Sequence, residues 1–221
     1  MERLAGRMGQ WLGDQFQWTS DEREIATFSL LLLISTGFTL VLLVLLGWLA
    51  GVLPEVLLMA GTAAVLRTFA GGSHLSSGWR CAWATAGAAT IAAYLAHVAG
   101  PVIGGWLAGR APGVLLAIGL GVAVIMARLA PVPAPGKPFR SERHRRVLRV
   151  LAVVTTLAWA TGWAVGVSRG GVQPSLWLAS TLGLLQEALS VTPSGERIAR
   201  WLDWMLAGSL VKSLMKGGER A

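Results

Sequence analysis

The sequence predicts an all-α, polytopic membrane protein: about six transmembrane helices in one domain, with amphipathic helices at the N- and C-terminal ends. Three observations carry this. The 221-residue chain is 54% hydrophobic and only 14% charged, too apolar for a soluble domain of its length. Apolar runs of about 20 residues recur, the length a helix needs to cross a hydrocarbon core of roughly 30 Å. Those runs are continuous rather than alternating, which argues against a closed β-barrel.

Each element has its own justification. Residues 2–18 place Leu4, Met8, Trp11, Leu12 and Phe16 roughly on one helical face, with Arg3, Arg7 and Asp14 on the remainder. Segment 1–22 therefore reads as an amphipathic helix lying in the membrane interface. It lacks the compact apolar stretch of a cleavable signal, so the first span is expected to act as its own insertion signal. Thr19 and Glu22 have capping-box spacing and lead into a first span over about Ala26–Leu49. Gly51 and Pro54 mark a tight turn, with Glu55 read as a solvated turn residue. A short second span reaches Leu66. The third covers about Arg80–Leu107, and Gly100-Pro101 is expected to kink it. Arg110–Gly113 turns the chain into a fourth span ending near Leu129.

Four prolines between residues 130 and 140 exclude helix interior and favour an extended segment. A basic loop, Lys137–Arg149, then leads into a fifth span over about Val147–Val167. Arg169–Gly171 turns into a sixth, about Pro174–Val191. Thr192 and Pro193 fit the N-cap and first turn of a terminal helix, so residues 193–221 form an amphipathic, basic tail behind a six-span core over 26–191.

The net charge of +8 lies between apolar runs, where it sets membrane orientation and does not point to nucleic acid. With the Lys137–Arg149 loop cytoplasmic, both termini and the segment before the third span are cytoplasmic too. Only Arg110 and Arg169, of 19 basic residues, then face outside. One cysteine permits no intrachain disulfide. No metal-ligand cluster is evident, and no cofactor is required.

The chemistry-bearing residues gather in Arg67–Cys81. A lone membrane cysteine is ordinarily a small packing residue. Histidine at a membrane boundary changes that reading, because an imidazole can take a thiol proton and leave a reactive thiolate. On a continuous helix, the seven residues from His74 to Cys81 would rise about 10.5 Å, too far for a hydrogen bond. The chain must therefore fold back, with Gly71, Gly72 and Gly78 supplying the freedom. Cys81 then falls in the first turn of the third span, where a helix N-terminus favours an anion. Arg67 and Arg80 either add to that field or anchor helix ends at headgroups. Glu187, an ionisable residue inside the sixth span, is a functional suspect: it can orient His74, grip a substrate amine or pair with an arginine. His97 and His144 lie too far along the chain to serve Cys81.

Three stretches together resemble a family. Arg67…Ala70-Gly71-Gly72-Ser73-His74…Ser77…Cys81 is similar to the signature of accessory gene regulator B (AgrB) peptidases. Pro131-Val132-Pro133-Ala134-Pro135…Lys137-Pro138 resembles that family's proline-then-basic loop. Leu184-Leu185-Gln186-Glu187-Ala188…Pro193 resembles its late Glu-Ala element. Order and spacing agree over about residues 1–195, and the chain departs by a longer Gly/Ala-rich body and basic tail. The resemblance implies a bacterial plasma-membrane cysteine endopeptidase, often dimeric, that removes the C-terminal tail of an AgrD-like propeptide. His74 and Cys81 carry over as the catalytic pair, with Gly71, Gly72, Ser77, Arg67, Arg80 and Glu187 around them. The basic run, Lys137, Arg140, Arg143, Arg145 and Arg146, reads either as an anchor to anionic lipids or as a dock for an acidic substrate tail. The rivals are a small-peptide transporter or permease and a lipid-modifying transferase.

Overall fold

The computed structural model describes residues 2–208 apart from His74, Ser76 and 134–140. Eight helices form in the described residues: α1 Glu2–Gln15, α2 Ser20–Leu49, α3 Leu53–Ala70, α4 Gly78–Trp106, α5 Ala111–Leu129, α6 Glu142–Ser168, α7 Pro174–Ser190 and α8 Pro193–Gly208. Their ends obey local chemistry. Thr19 and Glu22 make the reciprocal capping box of α2. Ser141 caps α6 by accepting from the His144 N–H at 3.2 Å. The Thr192 hydroxyl accepts from the Gly195 N–H at 3.1 Å at the start of α8. Gly51, at φ +70°, turns α2 into α3.

Helices α2 to α6 are long and apolar enough to cross a membrane. The expected sixth span, α7, is the shortest of the group at 17 residues, about 26 Å long. It is also the most enclosed: Trp177, Ala179, Ser180, Thr181, Gly183, Leu184, Glu187 and Ala188 are all buried. It packs against α3 and α4 and touches α5, so its neighbours rather than lipid cover most of it.

Small residues permit that packing, as expected where no hydrophobic effect separates helix from lipid. An alanine stripe on α4, Ala82, Ala86, Ala89, Ala93 and Ala96, meets Leu42 and Leu43 of α2, Val56 and Met59 of α3, and Ala179 of α7. A second core joins Leu66, Val122, Met126, Ala152 and Leu184 from α3, α5, α6 and α7. A side chain at Gly183 would collide with the Met59 carbonyl, and one at Gly100 would stand 2.7 Å from the Ser175 backbone. Between these cores the Ser180 hydroxyl accepts from the indole N–H of Trp159 at 2.8 Å and of Trp163 at 3.0 Å. It also shares a 2.7 Å bond with Thr62, which ties α3, α6 and α7 through polar groups that satisfy one another.

Two expectations change, and two others gain detail. Glu55 is not solvated: it is 3% exposed and its Oε1 lies 2.8 Å from Nδ1 of His97. The cause is packing of α4 over the start of α3, which a local reading does not anticipate. The basic run is not a loop through Arg149: residues 142–149 form the first two turns of α6, because Ser141 caps the helix there. The α4 helix runs through Pro101, which leaves the His97 carbonyl without its usual helical donor. And α1 does not stand alone in the interface. Its small face, Ala5, Gly9 and Gly13, lies antiparallel along the start of α2, with Gly9 against Thr27 and Gly13 against Arg23. Asp14 pairs with Arg23 at 3.0 Å. The apolar side chains Leu4, Met8, Trp11 and Phe16 remain exposed, as an interfacial helix requires.

Enlarging Gly183 tests this packing. Gly183→Val should force α7 off α3 and destabilise the protein by roughly 1–3 kcal/mol or more, read as a lowered thermal midpoint in detergent. Gly61→Val, on the same α3 but facing open space, should have a much smaller effect.

Candidate functional site

The thiol sits where the sequence placed it. Cys81 is free and half-buried, four residues after the extended N-cap Ser77, whose carbonyl accepts the Cys81 N–H at 2.9 Å. This is the first turn of α4, where unpaired N–H groups favour negative charge. Ser77 offers no side-chain cap to those groups. Trp79 stacks on Phe38 of α2 at 4.8 Å and meets Trp83 edge-on at 5.8 Å, which pins this turn against α2.

The glycine turn before it is built from three directions. α3 ends at Ala70, and the chain turns through Gly71 at φ +69° and Gly72 at φ +143°, conformations that side chains disfavour. Gly71 bridges in parallel to Val132, whose N–H donates to the Ala70 carbonyl at 2.9 Å. A side chain at Gly71 would collide with the Val132 carbonyl. Gly72 is buried against the end of α7: a Cβ there would stand 2.5 Å from Ser190 Oγ and 3.2 Å from Glu187 Oε1. The Ser73 N–H donates to the Ser190 carbonyl at 3.2 Å. The proline segment and the end of α7 thus grip the turn from opposite sides.

Arg67 and Glu187 complete it. Arg67, in the last turn of α3, places Nη1 3.5 Å from Glu187 Oε2 and donates from Nη2 to the Ser73 carbonyl at 2.6 Å. Glu187 is 1% exposed, and its other oxygen, Oε1, is buried without a hydrogen-bond partner among the described residues. Of the roles open to Glu187, pairing with an arginine is the one the described residues display.

Arg80 points elsewhere. It makes a 3.1 Å ion pair with Asp203 of α8 and donates to the Asp203 carbonyl at 3.2 Å, so its charge is matched by the terminal helix. Asp203 carries no local sequence signal, because its partner is 123 residues away. Ser190, by contrast, stands one helical turn after Glu187, a spacing that points both side chains one way. On α6, Arg143 and Arg146 are exposed. Arg145 lies 3.8 Å from Glu142, and Arg149 donates to the Ala130 carbonyl at 2.8 Å, holding the proline segment.

His74, Lys137 and Arg140 lie outside the described residues. The described residues bring together Arg67, Gly71, Gly72 and Glu187; they direct Arg80 to α8 and leave Arg143, Arg145 and Arg146 on the first turns of α6. Among the described residues no group of three His, Cys, Asp or Glu side chains could hold a metal ion.

The Accessory gene regulator B family model matches residues 5–191, which takes in α2 to α7 whole, most of α1 and none of α8. No curated protein and no solved structure matches the chain.

The turn's geometry has a direct consequence. Gly71→Ala should strain a positive-φ position and push the Val132 carbonyl away, whereas Gly87→Ala, which faces open space inside α4, should be neutral. Limited proteolysis near residues 71–81 checks this, with faster cleavage expected only for Gly71→Ala.

Proposed function

The chain belongs to the Accessory gene regulator B family, a membrane family of autoinducer processing, and from that premise we propose that it is a cysteine endopeptidase. Its substrate is an AgrD-like propeptide whose C-terminal tail it removes at the cytoplasmic face of the bacterial plasma membrane. The observation that carries this reading is the placement of the lone thiol. Cys81 lies half-buried in the first turn of a spanning helix, just after a glycine turn held by an arginine and a buried carboxylate.

In this reading His74 takes the Cys81 thiol proton and the thiolate attacks the scissile carbonyl. The C–N bond breaks, His74 returns its proton to the leaving amine, and a thioester joins Cys81 to the N-terminal part of the substrate. A thiol of the substrate then displaces Cys81, closing a thiolactone ring and restoring the enzyme thiol; a substrate hydroxyl would close a lactone. Thioester for thioester is nearly an even exchange, so the acyl bond's energy survives, provided a pocket at the membrane boundary keeps water out. Support for the thiolate in this reading comes from the helix N-terminus and the imidazole. Both termini are cytoplasmic in this topology, and the protein acts as a homodimer in contact with anionic lipids.

Arg143 and Arg146, exposed on the first turns of α6, offer a surface for the acidic substrate tail. Because they sit on a capped helix, they present fixed charges to it.

Cys81→Ala decides the main claim. The variant should insert and fold normally yet lose all cleavage of the precursor, as followed by gel or mass spectrometry. Retained cleavage would sink the proposal in favour of a transporter or lipid transferase. Arg143→Ala with Arg146→Ala should raise KM several-fold with little change in kcat and flatten its dependence on salt, as screened charge pairs do.

A further inference from the structure

We propose that Glu187 is a positioning residue for the thiol chemistry: through Arg67 it fixes the Gly71–Ser73 turn against the end of α7. The inference rests on the thiol-peptidase reading above and assigns a task to a buried charge that the reaction itself does not use.

The argument starts from cost. Glu187 is 1% exposed and one of its carboxylate oxygens has no hydrogen-bond partner among the described residues. A buried, half-satisfied carboxylate is destabilising unless its partner compensates for lost water. The partner here is a weak compensator, because Arg67 stands at 3.5 Å with a third of its side chain exposed. An apolar residue would pack α7 more cheaply. A group kept at such cost is a candidate for function rather than fold.

The contacts say which function. The carboxylate holds Arg67 by Oε2, and Arg67 in turn donates to the Ser73 carbonyl at 2.6 Å. The carboxylate's Oε1 faces Gly72, close enough that only glycine fits between. One turn later, the Ser190 carbonyl accepts from the Ser73 N–H. Both polar backbone groups of Ser73 are thus tied to a framework that Glu187 organises, and the chain from Ser73 leads into the segment that ends at Cys81. Glu187 touches no reacting atom in this account; it acts through Arg67 and the turn. The charge matters because a carboxamide cannot hold a guanidinium as an ion pair.

The test uses the full-length protein in lipid nanodiscs with an AgrD-like precursor. Glu187→Gln keeps size and shape, so the thermal midpoint should hold or rise. Meanwhile kcat should fall by about 100-fold, the penalty expected for an ångström-scale misplacement, with KM within about threefold. The rate of Cys81 alkylation by iodoacetamide should fall with it. The double variant Glu187→Gln with Arg67→Gln should be no slower than Arg67→Gln alone, since one acts through the other. Glu187→Asp, which keeps the charge, should recover part of the rate, and it stands in for Glu187→Gln should that variant fail to fold. Wild-type kcat in these variants overturns the inference, as does additivity in the double variant or a loss of activity that only tracks a falling thermal midpoint. Cys81→Ala, run alongside, separates the two readings: cleavage by that variant removes the peptidase itself, whereas a dead Cys81→Ala beside a fully active Glu187→Gln removes only the role of Glu187.

Discussion

The fold depends on how closely α7 approaches its neighbours. At three levels a glycine admits it: Gly183 against the Met59 carbonyl, Gly100 against Ser175, and Gly72 against Ser190 and Glu187. In hydrocarbon, water offers no drive to bury one apolar helix against another, so intimate van der Waals contact and satisfied polar bonds supply the cohesion. That is why the most enclosed helix of the bundle α2–α7 is also the shortest of that set. Surrounded by protein, α7 need not match the bilayer thickness on its own, and it can carry Ser180, Thr181 and Glu187 where a lipid-facing helix could not. The same approach delivers the end of α7 to the glycine turn, so the packing of the bundle and the geometry of the site follow from one arrangement.

Features encoded by short spacing were legible in the chain. The spans, the capping box at Thr19 and Glu22, the cap at Thr192 and the position of Cys81 in a first turn each depend on residues within one or two helical turns. What the sequence concealed depends on distant pairs. Glu55 looked solvated because it follows a turn proline, and only the arrival of His97, 42 residues later, buries it. Arg80 read as either a cation near the thiol or a headgroup anchor, and its partner Asp203, 123 residues away, left no local signal. The basic run looked like loop because prolines precede it and its charges are unlike a span; the Ser141 hydroxyl, a single capping group, suffices to start α6 there. Glu187 was legible as costly, though its arginine was not identifiable among many.

These pairings alter the electrostatics of the candidate site. Arg80 pairs with Asp203, and Arg67 engages Glu187 and Ser73. A thiolate would draw on the open N–H groups at the start of α4 and on a nearby base. Such an arrangement suits an acyl carrier that must both attack and leave: a sulfur stabilised too strongly as an anion is a good leaving group but a poor nucleophile.

The distant Glu55–His97 contact bears on the same site through register. Glu55 stands sixteen residues before Gly71, and His97 stands sixteen residues after Cys81. In consecutive helices running in opposite directions, those equal lengths, each about 24 Å at 1.5 Å per residue, bring Gly71 and Cys81 level at the far end. A slip of α4 past α3 by one turn would shift Cys81 by about 5.4 Å along the helix axis. An apolar alanine stripe resists such sliding poorly, since its contacts repeat from turn to turn. A 2.8 Å bond to a buried carboxylate does not repeat, and breaking it would leave an unpaired charge in the bundle. The pin at one end of the bundle thus opposes a slip of register that would move Cys81 relative to the glycine turn at the other end.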